Sequence, residues 1–244
     1  MATYLLWHVA IASAETLVRA FSAWHTLAVK RRASRWNSSQ LRSLSKVFAG
    51  MSAATLLGAL TVQVDKLIVS KMVLIEQFGY HMIATTVAAG ALQLIYPLVQ
   101  AALPSAIALK DDPAALRRFS LKLVQLIGAI TVGSALAFAL LGEWLLVLWL
   151  KDLAVVQVVR PVLTVLLIGS VFNAFYNVGY IHWLVHQRLG RILQVNLLAL
   201  VLSALVIPPL VGSYGIIGAA AGWVTINLIG FSLSLGWYKQ VSDA

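Results

Sequence analysis

Two pairs of opposite charges stand inside apolar stretches: Asp65–Lys66 in ALTVQVDKLIVSKM and Glu15–Arg19 in ASAETLVRAF. An ionisable side chain at the centre of a bilayer costs about 2.5–3.5 kcal/mol on insertion scales, so each pair is a candidate functional group. Asp65 and Lys66 admit three readings: a salt-bridged pair, side chains reaching to the outer interface, or charges placed in a ligand cavity. Glu15 and Arg19 are one helical turn apart and can neutralise each other on a single face.

Uncharged polar residues recur at helical spacing around them. Ser52, Thr55, Gln63, Lys66 and Ser70 form one drifting stripe. A second holds His81, Thr85, Gln93, Tyr96 and Gln100, with Ala89 in the gap, and a third Ser170, Asn173, Asn177 and Tyr180. Lipid cannot satisfy amides and hydroxyls. The stripes therefore either bond across helices, at about 0.6 kcal/mol each, or line a wet cavity. A lining of hydroxyls, amides, a tyrosine and a cation suits a sugar carrying an anionic group better than a hydrophobic drug. Lys66, Gln63, Tyr96, Gln100, Asn173 and Asn177 are the candidate binding residues.

Other chemistries find no foothold. The chain has no cysteine, and His8, His25, His81, His182 and His186 show no metal-ligand pattern. His182 and His186 are an i,i+4 pair without an acidic neighbour. Nucleophile elbow, P-loop and nucleotide-binding signatures are absent. Neither a cofactor nor enzymatic activity is expected.

The elements that must position these residues are membrane helices. Of 244 residues 61% are hydrophobic and 11% charged, against about 25% charged in a soluble domain. The net charge of +10 sits mostly in short loops, which marks topology rather than a nucleic-acid partner. No secretory signal is expected, since Met1 is followed by no basic region or cleavage site.

Seven helices are expected, in an all-α, polytopic membrane bundle. The first runs from Tyr4 to Val29 and is followed by a basic connector, Lys30 to Lys46. The second covers Val47 to Ser70. A polar hinge, Glu76 to Tyr80, leads into the third, Gln77 to Leu103, closed by Pro104. A charged loop, Lys110 to Lys122, contains Pro113 as a helix-start signal. The fourth helix is Leu121 to Leu141, and Gly142, Glu143 and Trp144 then open a short interfacial segment. Pro161 starts the fifth, to His186, and Arg188 and Arg191 bracket a turn at Gly190. The sixth, Leu193 to Val211, ends near Pro208–Pro209. After a turn at Gly212 to Gly215 the seventh reaches Tyr238. Gly218 and Gly222 form a GxxxG helix-contact signal within it.

Lys30, Arg31, Arg32, Arg35, Arg42, Lys46, Lys110, Arg117, Arg118, Lys122, Arg188, Arg191 and Lys239 gather on one side. Lys66, Lys71, Lys151 and Arg160 fall on the other. The positive-inside rule makes the first side cytoplasmic, with Ala244 inside and Met1 outside. Trp24, Trp183 and Trp237 lie near the inner ends and Trp7, Trp144 and Trp149 near the outer ones, as aromatic belts require.

The string V-D-K-L-I-V-S-K, then Q-F-G-Y, an alanine-rich helix, Pro97 and Pro104, resembles the polysaccharide-biosynthesis (O-antigen-type) flippases. These belong to the multidrug/oligosaccharidyl-lipid/polysaccharide exporter superfamily. The likeness covers Leu44 to Tyr238 and looks like a C-terminal six-helix lobe (residues 44–244). Residues 1–43 then look like the last helix of an N-terminal lobe plus the inter-lobe loop. Members usually have about twelve helices, so five of the first lobe are missing. A basic residue often follows the second proline, where this chain has Ser105.

The resemblance implies a transporter that turns a polyprenyl-pyrophosphate-linked oligosaccharide across the bacterial inner membrane by alternating access. No nucleotide would be hydrolysed; an ion gradient or the membrane potential would drive it. Lys66 and Arg19 are the candidates to hold the pyrophosphate. Expected partners are the lipid-linked oligosaccharide, membrane lipid, and a separate N-terminal lobe or a second copy. A drug/cation antiporter of the same superfamily is the near alternative, and should show an unpaired acid in a more apolar cavity. A membrane enzyme of polysaccharide assembly is the other, and should carry a large outer loop.

Overall fold

A computed structural model describes residues 2–26 and 37–239. Most of the basic connector (Lys30, Arg31, Arg32, Arg35, Trp36) and Ala244 lie outside them. Every described element is a helix: α1 (Ala2–Thr26), α2 (Ser38–Met72), α3 (Ile75–Leu92), α4 (Tyr96–Ala108), α5 (Pro113–Leu150), α6 (Leu153–Val185), α7 (Leu189–Ser234) and the short α8 (Gly236–Lys239). The polytopic helical organisation holds. Five stretches among the described residues are long and apolar enough to cross a membrane: Phe48–Met72, Ile75–Ala108, Pro113–Leu150, Leu153–Val185 and Leu189–Tyr238. α1 is not among them, because His8, Glu15, Arg19 and His25 dilute its apolar character. The chain divides into two compact units, Met1–Leu44 and Ser45–Ala244.

Helix boundaries follow local hydrogen bonding more than they follow proline and glycine. α2 starts at Ser38, inside the expected connector, with Asn37 Oδ1 accepting from Ser39 N–H (3.1 Å). The hinge before α3 is Val73–Leu74, so Glu76 to Tyr80 form its first turn rather than a loop. Glu76 sits there in the favourable field of the helix N-terminus, and Tyr80 donates to it (2.5 Å).

The expected third helix is broken. Pro97 lacks the N–H that would bond Gln93 C=O, and Gln93, Leu94 and Ile95 tighten into i→i+3 bonds to Gly90, Ala91 and Leu92 (3.1, 3.3 and 2.9 Å). Pro104, expected to end a helix, lies inside α4.

Asp112 caps α5 by accepting from Ala115 N–H (2.9 Å), with Pro113 in the first turn. The expected break at Gly142 does not occur. α5 continues through 38 residues to Lys151, which closes it at φ 54°, and the buried Gly142 lies under the Phe138 ring. α6 starts eight residues before Pro161. Asp152 Oδ1 accepts from Ala154 and Val155 N–H (2.9 and 3.3 Å), and the proline is carried inside the helix. The turn expected at Gly190 falls instead at Gln187, in the left-handed region (φ 52°). There Arg188 N–H reaches back to Trp183 C=O (2.7 Å).

α7 is two antiparallel limbs. At about 1.5 Å per residue a bilayer crossing takes roughly 20 residues, and Leu189–Tyr238 holds 50. The reversal is at Gly215 (φ 57°, ψ −140°), while Pro208 and Pro209 stay within the first limb. A Cβ on Gly218 would lie 2.0 Å from Leu210 O, and one on Gly222 2.8 Å from Ile207 Cγ1. The GxxxG pair is thus the contact between the two limbs.

α6 is the hub and packs against α3, α4, α5, α7 and α8. One cluster joins Val159, Leu163 and Leu166 of α6 to Ala84 and Ala88 of α3 and Ile207 and Ala219 of α7. Another joins Ala174, Val178 and Ile181 to Val99 and Ala106 of α4 and Leu123 and Ile127 of α5. Gly169 and Gly179 let α7 approach closely, for a Cβ at either would strike Trp223 (2.3 Å) or Ser234 (2.5 Å).

Candidate functional site

Residues of α2, α3, α4, α6 and α7 in the Ser45–Ala244 unit line a half-open cavity of about 350 Å³. α2 contributes Val62, Asp65 and Lys66; α3 and its break contribute Thr85, Ala89 and Gln93; α4 gives Tyr96, α6 Ser170 and α7 Trp223. The run Thr85, Ala89, Gln93, Tyr96 is the second polar stripe, bent inward at the Pro97 break. The small Ala88 and Ala89 leave the space open.

Beside the cavity a polar chain links three helices. Tyr96 Oη donates to Asn173 Oδ1 (3.4 Å), Asn173 Nδ2 to Asn227 Oδ1 (2.8 Å), and Asn227 Nδ2 to Trp223 C=O (2.8 Å). Asn177 Nδ2 donates to Asn173 C=O (2.7 Å). Those amides bond to protein and do not line the cavity; its polar lining comes from Asp65, Lys66, Thr85, Thr86, Gln93, Tyr96, Ser170 and Trp223, set among apolar Val62, Met82, Leu92 and Leu166.

Asp65 and Lys66 are not a salt bridge. Consecutive residues on a helix point about 100° apart. Asp65 turns toward α3, with Oδ2 3.9 Å from His81 Nε2; its side chain is 15% exposed and that of His81 0%. Among the described residues Lys66 has no ion pair or hydrogen bond. Asp65 Oδ1, both ring nitrogens of His81 and Trp223 Nε1 are buried with no hydrogen-bond partner. Each such group costs about 1–3 kcal/mol to leave unmet, and three of the four belong to residues on or directly behind one cavity wall.

Of the predicted residues, Lys66 and Tyr96 line the cavity, and Asn173 touches it through Tyr96. Gln63 and Gln100 are exposed and are not among the residues lining the cavity, and Asn177 bonds to the backbone of Asn173 instead. Arg19 belongs to the Met1–Leu44 unit, where it meets Glu15 at 2.5 Å with both side chains exposed.

The family model described as polysaccharide biosynthesis protein matches the chain over residues 4–153, more than half its length. The chain belongs to the polysaccharide biosynthesis protein family. It is a membrane protein with a role in polysaccharide biosynthesis. No curated protein and no solved structure matches it. The match begins in α1 and ends at the first residue of α6, so it overlaps the likeness expected over residues 44–238 only in part. Asp65, Lys66, His81 and Tyr96 of this polysaccharide biosynthesis protein lie within it; Asn173, Asn177, Trp223 and Asn227 lie beyond.

Trp223 and Asn227 stand four residues apart on one helix face, with Thr225 between them, but form only a two-residue pair in a largely apolar run, too short to read as a polar stripe. Their signal is position: a tryptophan and an amide in mid-span, away from either interface. Two expected belt residues behave similarly. Trp183 and Trp237 are buried (6% and 8% exposed). Trp237 stacks on His182 (5.1 Å, 15°), whose Nε2 meets Ser120 Oγ at 2.7 Å. That histidine is a packing and hydrogen-bonding group of the core.

Proposed function

We propose that this chain is the substrate-holding lobe of a flippase that turns a polyprenyl-pyrophosphate-linked oligosaccharide across the bacterial inner membrane. The observation that carries the reading is Lys66, a cation with no protein partner among the described residues, set in a cavity with Tyr96, Gln93 and Trp223. An ammonium unmet by protein is a site for phosphate oxygens, and neighbouring hydroxyl, amide and indole groups suit sugar hydroxyls. Membership of a polysaccharide biosynthesis family supports the substrate class. The chain acts as a transporter and not as an enzyme. Movement is alternating access against a second wall, supplied by an N-terminal lobe or a second copy. The basic side is cytoplasmic and holds the C-terminus.

The test is binding of a fluorescent polyprenyl-pyrophosphate oligosaccharide to the purified chain. Lys66→Ala should weaken it by about 10–100-fold, the worth of a charge-assisted hydrogen bond, and Lys66→Arg by much less. Equal affinity in all three proteins removes Lys66 from the site.

The drug/cation reading draws on Asp65, whose carboxylate is not paired with Lys66 and keeps one oxygen unpartnered. Binding of a lipophilic cation that depends on Asp65 and not on Lys66 would replace the flippase reading.

A further inference from the structure

Arg160 stands at the junction of two hollows of opposite chemistry. One is a groove of about 360 Å³ between α5 and α6, closed along one edge by the end of α3, with Ala91, Ile95, Ala135, Phe138, Ile168 and Val171 among its walls. Three of its hydroxyls are already bonded to their own helices. Thr131 Oγ1 donates to Ile127 C=O (2.8 Å), Thr164 Oγ1 to Arg160 C=O (2.8 Å) and Ser170 Oγ to Leu166 C=O (3.0 Å). None of the buried unpartnered polar atoms of the described residues belongs to this groove. Its walls suit hydrocarbon and not a sugar.

The second hollow presents Glu143, Gln157, Arg160 and Thr164, and shares the last two with the groove. Arg160 Nη1 donates to Glu143 Oε2. The Nε and Nη2 of Arg160 and the Oε1 of Glu143 have no partner among the described residues.

Dimensions set the level at which a membrane meets these hollows. α6 has 33 residues, about 50 Å at roughly 1.5 Å each. Centred on a hydrocarbon core of about 30 Å, it overshoots by about 10 Å at either end. Arg160 lies seven residues past Leu153, about 10 Å along the helix, and so at the boundary between hydrocarbon and headgroups. From Arg160 to Val171 the groove runs about 16 Å, close to the depth of one leaflet, about 15 Å. Ala135 and Ile168 on its rim are exposed, so it opens on the surface of the bundle.

We infer that the two hollows together hold one aminophospholipid from the leaflet at the Lys151 end of the bundle. An acyl chain fills the groove, the phosphate accepts from the free N–H groups of Arg160, and the primary ammonium donates to Glu143. An ion pair with both outer edges open complements a headgroup that carries both charges. A purely anionic headgroup would set its charge against Glu143, and a trimethylated ammonium has no N–H to give it. The site is separate from the Lys66 cavity, but its deep end backs onto it, since Leu92 and Ser170 line both. The seated chain therefore packs behind the wall of that cavity.

The test is native mass spectrometry of the full chain in detergent, exchanged into equal amounts of phosphatidylethanolamine, phosphatidylcholine and phosphatidylglycerol with identical acyl chains. One phosphatidylethanolamine should stay bound, about tenfold or more over either competitor, the worth of one charge-assisted hydrogen bond. Glu143→Gln should abolish the preference over phosphatidylcholine. Arg160→Gln should lower retention about tenfold, and Ala135→Trp should block the groove and lower retention with the ion pair intact. All three positions are exposed, and melting temperature checks that each variant is folded. Equal retention of the three lipids, or a preference for phosphatidylglycerol, overturns the headgroup assignment. Retention that survives both Ala135→Trp and Arg160→Gln overturns the site. Lys66→Ala should change nothing here; loss of the lipid in that variant would make it a ligand of the Lys66 cavity and overturn the separate site.

Discussion

Replacing Lys66 by alanine removes the cavity's cation, whereas arginine keeps the charge and changes only its shape. In cells whose surface polysaccharide depends on this protein, Lys66→Ala should reduce export several-fold more than Lys66→Arg; equal export contradicts an anion-binding role. Asn227→Leu makes a separate point. Asn173 Nδ2 would lose its acceptor (now 2.8 Å away) at a half-buried position, at a cost of about 1 kcal/mol. Melting temperature in detergent should fall measurably, and Tyr96 should lose its anchor. Arg19→Ala tests the opposite expectation, because an exposed i,i+4 pair contributes only about 0–1 kcal/mol. That change should be nearly silent in thermal unfolding.

Among the elements, α6 and α7 depend on glycine for their closeness. Gly179→Val would drive side-chain atoms into Ser234, which a Cβ alone would approach to 2.5 Å, and should destabilise strongly or prevent folding. Gly79→Ala is the control, with nothing within 4 Å of the added carbon, and should leave melting unchanged. At the α7 reversal Gly215 has φ 57° and open space, so Gly215→Ala tests backbone strain alone. A loss of about 1–3 kcal/mol is expected; no loss would show that the limbs can turn elsewhere. Asp152→Ala removes the cap of α6 and should cost about 1 kcal/mol.

For the molecule as a whole, α5 sets a measurable scale. Its 38 residues rise about 57 Å at roughly 1.5 Å each, more than a hydrocarbon core of about 30 Å. Asp111 and Lys151 must then lie on opposite sides. The chain has no native cysteine, so single cysteines at these positions report cleanly. Impermeant thiol reagents added to intact cells should label position 151 and not position 111. Labelling of both from one side would contradict a spanning α5. Cysteine at Thr85 should react with a small water-soluble reagent, and cysteine at exposed Leu126 in lipid should not.

Composition and period alone determined the solvent and the class of this protein. Long apolar runs with few charges can satisfy their backbone only as helices in lipid, and the polar stripe of α3 was legible because helical spacing is fixed at 3.6 residues. The string around Asp65 pointed to the family, since that local pattern requires no knowledge of packing. Tertiary structure decided the rest. Whether Pro104 or Pro161 ends a helix depends on caps and neighbours that compensate a lost hydrogen bond. Which way Asp65 turns depends on His81, sixteen residues on and in another helix. Gln63 and Gln100 share their stripes' spacing yet do not line the cavity, because helical period fixes which residues share a face and not what packs against that face. Trp223 and Asn227 enter because Gly169 lets the second limb of α7 lie against α6; the small residues Gly218 to Gly222 beside them mark a helix contact but not which helix is met.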